Sequence, residues 1–136
     1  LTTGPEVEAF EKKLGTVTDG AAAAAVSSGT AALHCMLDAY RIGPGDEVIV
    51  PAVTFAATAN AALYVGATPV FADVDPSSLL IDPSETDRLV SDRTRAVIAV
   101  DFAGQPADYA SLRSALPDRV HLWLVVKNRL EQLFFS

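Results

Sequence analysis

The sequence predicts an α/β domain of three layers, in which a mostly parallel sheet lies between two layers of helices. Two observations support this fold class. Short, unbroken apolar runs such as VIVP (48–51) and RAVIAVDF (95–102) are typical of strands buried on both faces of a sheet. These runs alternate with segments of about ten residues in which apolar residues recur at helical spacing, as in βαβ units.

Composition narrows the class of protein. The 136 residues suffice for one domain, and no apolar stretch approaches the length of a membrane span. A net charge of −7 without a basic cluster disfavours a nucleic-acid partner. The N-terminal LTTGPEVEAF lacks the basic start and apolar core of a signal peptide. The single cysteine, Cys35, is expected to be buried and inert, and a cytoplasmic location is expected.

The first helix is predicted to begin at Gly4-Pro5-Glu6 and to end at Gly15, because proline suits the first helical position. Its apolar residues recur at a spacing of three and four: Val7, Phe10 and Leu14. The next segment, AAAAAV (21–26), is ambiguous, since alanine is the best helix former. Its short length and the Ser-Ser-Gly that follows favour a short buried strand instead.

The rest of the chain alternates in the same way. Helices are predicted at 30–40, 55–64, 83–90 and 109–116, where apolar residues have helical spacing. Strands are predicted at 48–51, at 95–102 and at 119–126, and 68–75 is predicted as a strand followed by a turn. Turns rich in Gly, Pro or Asp separate these elements: IGPGDE (42–47), DPSSLLIDP (75–83) and GQPAD (104–108).

The stretch VSSGTAALH (26–34) places a turn of small residues directly before a helix. The first N–H groups of a helix have no intrahelical partner and carry a partial positive charge, so they suit a phosphate. Gly29 permits close backbone approach, and Thr30 adds a hydroxyl donor. The alternative is that Ser27, Ser28 or Thr30 only caps the helix. The stretch matches neither GxxxxGK[ST] nor GxGxxG, which disfavours those nucleotide-binding loops.

Four segments in a common order carry a more specific signal: LTTGPEVEAFEKKL (1–14), VSSGTAALH (26–34), GPGDEVIVPAVTFAATANAALYVGATPVFADVD (43–75) and VDFAGQPAD (100–108). Together they resemble the N-terminal part of the large domain of DegT/StrS-type nucleotide-sugar aminotransferases. These enzymes depend on pyridoxal 5'-phosphate (PLP) and have fold type I. The resemblance covers residues 1–122 and leaves 123–136 as a divergent amphipathic tail. VDFAGQP is most similar to members acting on UDP-linked amino-dideoxy sugars of the pseudaminic acid route.

The resemblance implies roles for particular residues. In the family, the Gly-Thr-Ala turn holds the PLP phosphate, which here corresponds to Gly29, Thr30 and Ala31. The aromatic residue of the family's TF.ATAN motif packs on the pyridine ring, which implies this role for Phe55; spacing alone suggests a core aromatic. The LTTG segment corresponds to a region that contacts the sugar nucleotide, although a simple helix lead-in is equally compatible with it: Leu1, Thr2, Thr3 and Gly4.

The resemblance also implies a function. The parent enzyme is expected to be a homodimer that moves an amino group, from glutamate, onto a keto-sugar nucleotide, without nucleic-acid or membrane partners. The reaction needs a Schiff-base lysine and a carboxylate at the pyridine nitrogen, which the family supplies after GQPAD, the carboxylate in a DxAxxxG-like motif. Neither is recognisable here, and Lys127 follows Gln105-Pro106 too soon to be that lysine. The chain is therefore expected to be an inactive N-terminal fragment or a truncated product.

Two other functions stay open at this stage. The parent could be a PLP-dependent sugar dehydratase, in which histidine replaces the lysine. The chain could also be a non-catalytic remnant or interaction module, for which LEQLFFS (130–136) offers an apolar patch. The remaining polar candidates favour structural roles, since Asp73, Asp75 and Asp82 lack His or Cys partners at metal-ligand spacing. Asp101 follows a strand and could either face a pocket or serve as a cap.

Overall fold

The computed structural model of the protein describes residues 4–18, 20–127 and 132–135. Its α-helices are α1 (Pro5–Val17), α2 (Gly29–Ala39), α3 (Ala57–Tyr64), α4 (Pro83–Leu89) and α5 (Tyr109–Ala115). Its strands are β1 (Glu47–Pro51), β2 (Thr68–Ala72), β3 (Thr94–Asp101), β4 (His121–Lys127) and β5 (Gln132–Phe135). A short 3₁₀ turn, Phe102–Gly104, follows β3.

The strands form one five-stranded sheet in the order β2-β1-β3-β4-β5. The first four strands are parallel, and β5 pairs antiparallel with the carboxyl half of β4. From β1 the chain thus passes to β2 at one edge of the sheet. It then crosses back to β3, on the other side of β1, and continues to β4. This confirms the predicted α/β class with a mostly parallel sheet.

Alternation along the central strands produces two apolar cores, one on each face of the sheet. In β3, Ile98 faces the helices α2 and α3, whereas Val97 and Ala99 face the other side. The α2–α3 core contains Leu33, Leu37, Val48, Val50, Ala61, Ala62, Ile98 and Trp123. The α4–α5 core contains Ile49, Ala72, Val97, Ala99, Leu112, Leu116 and Val120, with Leu89 of α4 packed against it. The helices therefore cover both faces, which gives three layers.

The prediction of a buried strand at residues 21–26 was wrong. The structure has no regular secondary structure there, and most of these residues are exposed. Ala25 donates its N–H to Glu11 Oε1 of α1 at 2.7 Å rather than to a strand partner. Alanine has a low preference for strands, and its methyl group buries too little apolar area to hold the segment against a sheet.

The expectation of a buried Cys35 was also wrong, because this side chain is exposed. The buried side chains of α2 are Ala32, Leu33 and Leu37. Two residues along a helix correspond to about 200°, so a side chain two positions after Leu33 points away from the face that Leu33 buries.

Helix α1 differs from the other helices in having no buried residue. Its predicted apolar stripe is therefore not part of either core, and Phe10 stays half exposed. At the opposite extreme, Trp123 is almost fully buried in the α2–α3 core. Among the described residues, no helix has both the length and the apolar character needed to cross a membrane.

Candidate functional site

The N-terminus of α2 has two backbone donors that the described chain leaves without an acceptor. The Ser28 side chain accepts a hydrogen bond from Ala31 N–H at 3.1 Å, and the Ser28 carbonyl accepts one from Ala32 N–H at 3.0 Å. Ser28 therefore caps the helix, as one of the two interpretations of the sequence predicted. The N–H groups of Gly29 and Thr30 precede these positions and have no acceptor among the described residues. An anion at this end would meet two unpaired donors and the positive end of the helix dipole.

The direction of α2 places this N-terminus at the carboxyl edge of the sheet. Tyr40, directly after α2, has its ring centroid 4.3 Å from that of His121, the first residue of β4. The C-terminus of α2 therefore lies at the amino end of β4, and α2 runs antiparallel to the strands. Eleven residues of helix span about 16 Å, so the first turn lies near the edge at which the parallel strands end. The strand predicted at residues 21–26 would have brought the first turn of α2 to this edge. That strand is absent, and the packing of α2 on the sheet brings the turn there instead.

Phe55 lies at the same edge, in the connection between β1 and α3. Helix α3 begins two residues later than predicted, and the Phe55 carbonyl accepts a hydrogen bond from Thr58 N–H at 3.0 Å. The hydroxyls of Thr54 and Thr58 are 2.9 Å apart and join this connection to the first turn of α3. The Phe55 side chain is 65 % exposed, so it is not the core aromatic that spacing alone suggested.

The helices α2 and α3 bring these two features to one face of the sheet. Leu33 and Leu37 of α2 share a core with Ala61 and Ala62 of α3. Both helices run antiparallel to the strands, because α3 starts where β1 ends. The first turn of α2 and the Phe55 segment are therefore neighbouring parts of the carboxyl edge, on the α2–α3 side.

The sheet has a topological switch point between β1 and β3. The helix after β1 is α3, on one face, whereas the helix after β3 is α5, on the other face. Connections that diverge from adjacent parallel strands open a crevice at their carboxyl ends, which is where ligands bind in such sheets. Phe55 follows β1 into this region, and Asp101 ends β3 there.

Asp101 is a buried carboxylate with two partners from the following segment. It accepts a hydrogen bond from Ala107 N–H at 3.0 Å and another from the Tyr109 hydroxyl. Burial is the main cause that raises the pKa of Tyr109 well above its usual value, and the hydrogen bond and charge of the adjacent Asp101 act in the same direction. The hydroxyl thus stays protonated and remains a donor at neutral pH. The sequence left two roles open for Asp101, and these contacts show that it anchors the segment after β3.

Two of the three other acidic candidates, Asp75 and Asp82, have structural roles. Asp75 accepts hydrogen bonds from the N–H and hydroxyl groups of Ser77 and Ser78, which lower its pKa to about 2. Asp82 caps α4 by accepting from Ser84 N–H at 2.7 Å. Both residues stabilise the turns around the Asp-Pro pairs.

Several predicted residues cannot be placed in the site. Leu1, Thr2 and Thr3 lie outside the described residues, as do Leu130 and the side chains of the other apolar tail residues. Gly4 is the N-cap of α1, and its carbonyl accepts a hydrogen bond from Val7 N–H at 3.0 Å. Lys127 is the last residue of β4.

A groove that sequence reasoning did not anticipate runs along β4. It has a volume of about 460 Å³ and is lined by Tyr40 and His121 together with Tyr109 and Arg113. The described residues of β5 pair with residues 124–127 of β4, and the groove follows the part of β4 that precedes this pairing. Burial lowers the pKa of His121, as do Arg95 and Arg113.

Comparison with known proteins places the chain in an aminotransferase family. Residues 1–126 match the model of the DegT/DnrJ/EryC1/StrS aminotransferase family. The spore coat polysaccharide biosynthesis protein SpsC of Bacillus subtilis is 49 % identical over 108 residues, which cover 79 % of this chain and 28 % of SpsC.

Solved structures agree with this match. DesV of S. venezuelae, in complex with a ketimine intermediate, has a TM-score of 0.83 and 38 % identity, over 88 % of this chain and 33 % of DesV. NtdA of Bacillus subtilis, with bound cofactor PMP, has a TM-score of 0.79 and 38 % identity, over 83 % of this chain and 26 % of NtdA. The chain thus spans about a third or less of the length of these relatives.

Proposed function

This chain belongs to the DegT/DnrJ/EryC1/StrS aminotransferase family, and from that premise we propose that it binds the phosphate of PLP at the N-terminus of α2. The family match confirms the resemblance found in the sequence. The observation that carries the proposal is the pair of N–H groups of Gly29 and Thr30, which have no acceptor among the described residues. Their position at the carboxyl edge of a parallel sheet is where such folds bind ligands.

The residues at this edge fit the coenzyme in two respects. The α2 terminus provides donors for the phosphate, with Ala31 N–H held by Ser28 until an anion competes for it. Phe55 lies outside the core and provides a flat apolar face for the pyridine ring. In this proposal Gly29, Thr30 and Ala31 hold the phosphate, and Phe55 restrains the ring.

The proposed parent reaction is the transfer of an amino group from glutamate to a keto-sugar nucleotide. When bound, PLP supplies an electron sink at the substrate carbon. The residues of this chain bind and orient the coenzyme, and residues 1–4 contact the sugar nucleotide. The Schiff-base lysine and the pyridine-nitrogen carboxylate are not recognisable in these 136 residues. We therefore propose that the chain by itself binds the coenzyme without catalysing transfer. The parent enzyme is further proposed to be a cytoplasmic homodimer.

Replacing Gly29 with proline tests the phosphate site. Proline is accepted at the first helical position, and Ser28 already has the extended backbone that precedes proline. Gly29→Pro thus removes one N–H donor while keeping α2. The loss of one hydrogen bond to a charged group should weaken binding of pyridoxamine 5'-phosphate roughly tenfold, as measured by isothermal titration calorimetry. Pyridoxamine phosphate is the probe because its amine cannot bond covalently to surface lysines.

Gly29→Ala is the matched control, because it changes the same residue but retains the N–H. It should retain more affinity for pyridoxamine phosphate than Gly29→Pro does, because it loses no donor and only adds a methyl group at the point of close backbone approach. Circular dichroism should show the same helix content in both variants. Equal weakening in both variants, or unchanged affinity in Gly29→Pro, would contradict the assignment of this amide to the phosphate.

A further inference from the structure

The segment after β3 is closed by a single carboxylate. Asp101 is 7 % exposed and accepts hydrogen bonds from Ala107 N–H, at 3.0 Å, and from the Tyr109 hydroxyl. Both bonds go to the same oxygen, Oδ1. They connect the last residue of the strand to a backbone group six residues later and to a side chain eight residues later. The chain between them is therefore held as a closed loop, residues 102–107.

This loop has a conformation that its sequence does not favour. Ala103 has φ of 54° and Gly104 has φ of 84°, both in the left-handed region. Glycine adopts this region readily, but alanine does not, since its Cβ approaches the following carbonyl oxygen. A left-handed alanine persists where surrounding contacts determine the backbone. The two bonds of Asp101 are such contacts.

The loop lies at the switch point of the sheet. It starts at the carboxyl end of β3, which neighbours β1, and Phe55 follows the carboxyl end of β1. Because α3 and α5 cover opposite faces, the loop and the Phe55 segment leave the two strands in diverging directions. By this topology the loop and the Phe55 segment flank the crevice that opens at the carboxyl ends of the two strands.

We propose that Asp101 is a positioning residue of the coenzyme site, which fixes the wall of the crevice opposite Phe55 through Ala107 and Tyr109. The inference rests on the proposed function, because it assigns the crevice to PLP. Asp101 Oδ1 accepts both hydrogen bonds from this segment, so the role assigned to Asp101 is to act through the loop rather than by contact with the coenzyme. A preorganised wall loses less conformational freedom on binding, which raises the affinity for the ligand.

Tyr109→Phe is the informative variant, because it removes only the hydroxyl donor and keeps the ring. Affinity for pyridoxamine 5'-phosphate should fall roughly three- to tenfold, as expected for a residue that acts on a ligand through a second element. Hydrogen exchange followed by mass spectrometry should become faster in peptides covering residues 102–107 of the free protein. Asp101→Asn, which loses the charge that both donors face, should weaken affinity at least as much.

Asp108→Ala is the matched control for a merely structural effect. Asp108 caps the same helix by accepting hydrogen bonds from Ser111 N–H at 3.0 Å and Ser111 Oγ at 2.7 Å. Its removal should lower the melting temperature, with affinity within twofold of wild type and unchanged exchange in residues 102–107. If Asp108→Ala weakens binding as much as Tyr109→Phe does, the effect belongs to the stability of α5, and the inference is overturned.

The two proposals fail in different ways. Absence of pyridoxamine phosphate binding by the wild-type chain would contradict the proposed function. Unchanged exchange of residues 102–107 in Tyr109→Phe would contradict the role of Asp101, whether or not the wild type binds the probe. Binding by the wild type with unchanged affinity in Tyr109→Phe would overturn the inference and leave the phosphate site standing.

Discussion

Two buried carboxylates lie at opposite ends of the sheet: Asp101 bonds to residues of the segment that directly follows it, whereas Glu47 connects segments that are distant along the chain. Asp101 closes the loop at the carboxyl edge. Glu47, at the start of β1, accepts hydrogen bonds from Ser91 Oγ at 2.5 Å and from Arg93 Nε at 2.9 Å. These contacts join β1 to the segment that leads into β3, and Glu47 is only 8 % exposed. A carboxylate removed from water is stable only with such partners.

The pH dependence of stability should report on Glu47. The hydrogen bond from Ser91 lowers the pKa of Glu47 below its usual value of 4.5, with Arg93 acting in the same direction against the effect of burial. A lowered folded-state pKa stabilises the protein above pH 4.5, and this contribution disappears as the pH falls from 4.5 towards the folded-state pKa. Glu47→Gln should therefore lower the free energy of unfolding by about 1–2 kcal/mol at pH 7 and flatten its decline below pH 4.5.

Urea denaturation at a series of pH values measures this effect. Glu85→Gln is the control, since it disrupts only an exposed pair with Arg88 and should change the free energy of unfolding little. A decline below pH 4.5 that is equally steep in Glu47→Gln and the wild type would show that other groups cause it.

The elements of the fold differ in how much they contribute to the cores. Strand β3 lies between β1 and β4 and is buried along almost its whole length, whereas β2 lies at the edge of the sheet and is mostly accessible. Helix α2 buries Leu33 and Leu37, whereas α1 buries nothing. The central strands therefore carry most of the stability of the domain, and the edge elements contribute less.

Truncations in β3 and β2 should separate these contributions. Ile98→Ala, in β3, removes a fully buried side chain and should lower the free energy of unfolding by about 2–5 kcal/mol. Phe71→Ala, in β2, removes a larger side chain that is 56 % exposed and should cost about 0.5 kcal/mol or less. Chemical denaturation followed by Trp123 fluorescence measures both. Similar losses in the two variants would contradict the burial that the structure assigns to these strands.

At the scale of the whole molecule, most of the chain matches the family, but the chain covers only a small part of the length of its relatives. It matches the family over residues 1–126 and covers 28 % of SpsC. Its described residues include the carboxyl edge at which the phosphate and ring of the coenzyme are proposed to bind. The lysine and the carboxylate that the chemistry requires are not recognisable in its sequence. Binding and catalysis should therefore be separable in this protein.

The 136-residue chain should not transaminate. With PLP, glutamate and a UDP-linked keto-sugar, the formation of 2-oxoglutarate should stay at the rate of the protein-free reaction. Without the lysine there is no positioned base for proton transfer. A full-length family member assayed in parallel shows that the substrates are competent. Turnover by this chain above the protein-free rate, and its loss in Lys127→Ala, would show that Lys127 serves as the catalytic lysine after all.

The local pattern of the sequence was sufficient for most elements. Proline at the start of α1 and α4, apolar spacing in α2 and α5, and the apolar runs of β1, β3 and β4 predicted elements that the structure confirms within one or two residues. The order of these elements and the length of the apolar runs sufficed for the fold class. The segments at residues 1–14, 26–34, 43–75 and 100–108 together indicated the family, which the comparisons confirm.

Burial and long-range contact depend on which surface faces which, and a one-dimensional pattern does not contain that information. Cys35 is exposed because α2 turns its Leu33 face to the sheet. Residues 21–26 form no strand, since their alanine side chains bury too little apolar area to hold the segment against the sheet. The hydrogen bond from Tyr109 to Asp101 spans a left-handed turn at Ala103 and Gly104, which the pattern of the sequence did not predict. The sequence thus determined the elements and the family. The tertiary structure alone decided that α2 points its free amides towards the edge where Phe55 and Asp101 lie, because that placement comes from packing across the sheet.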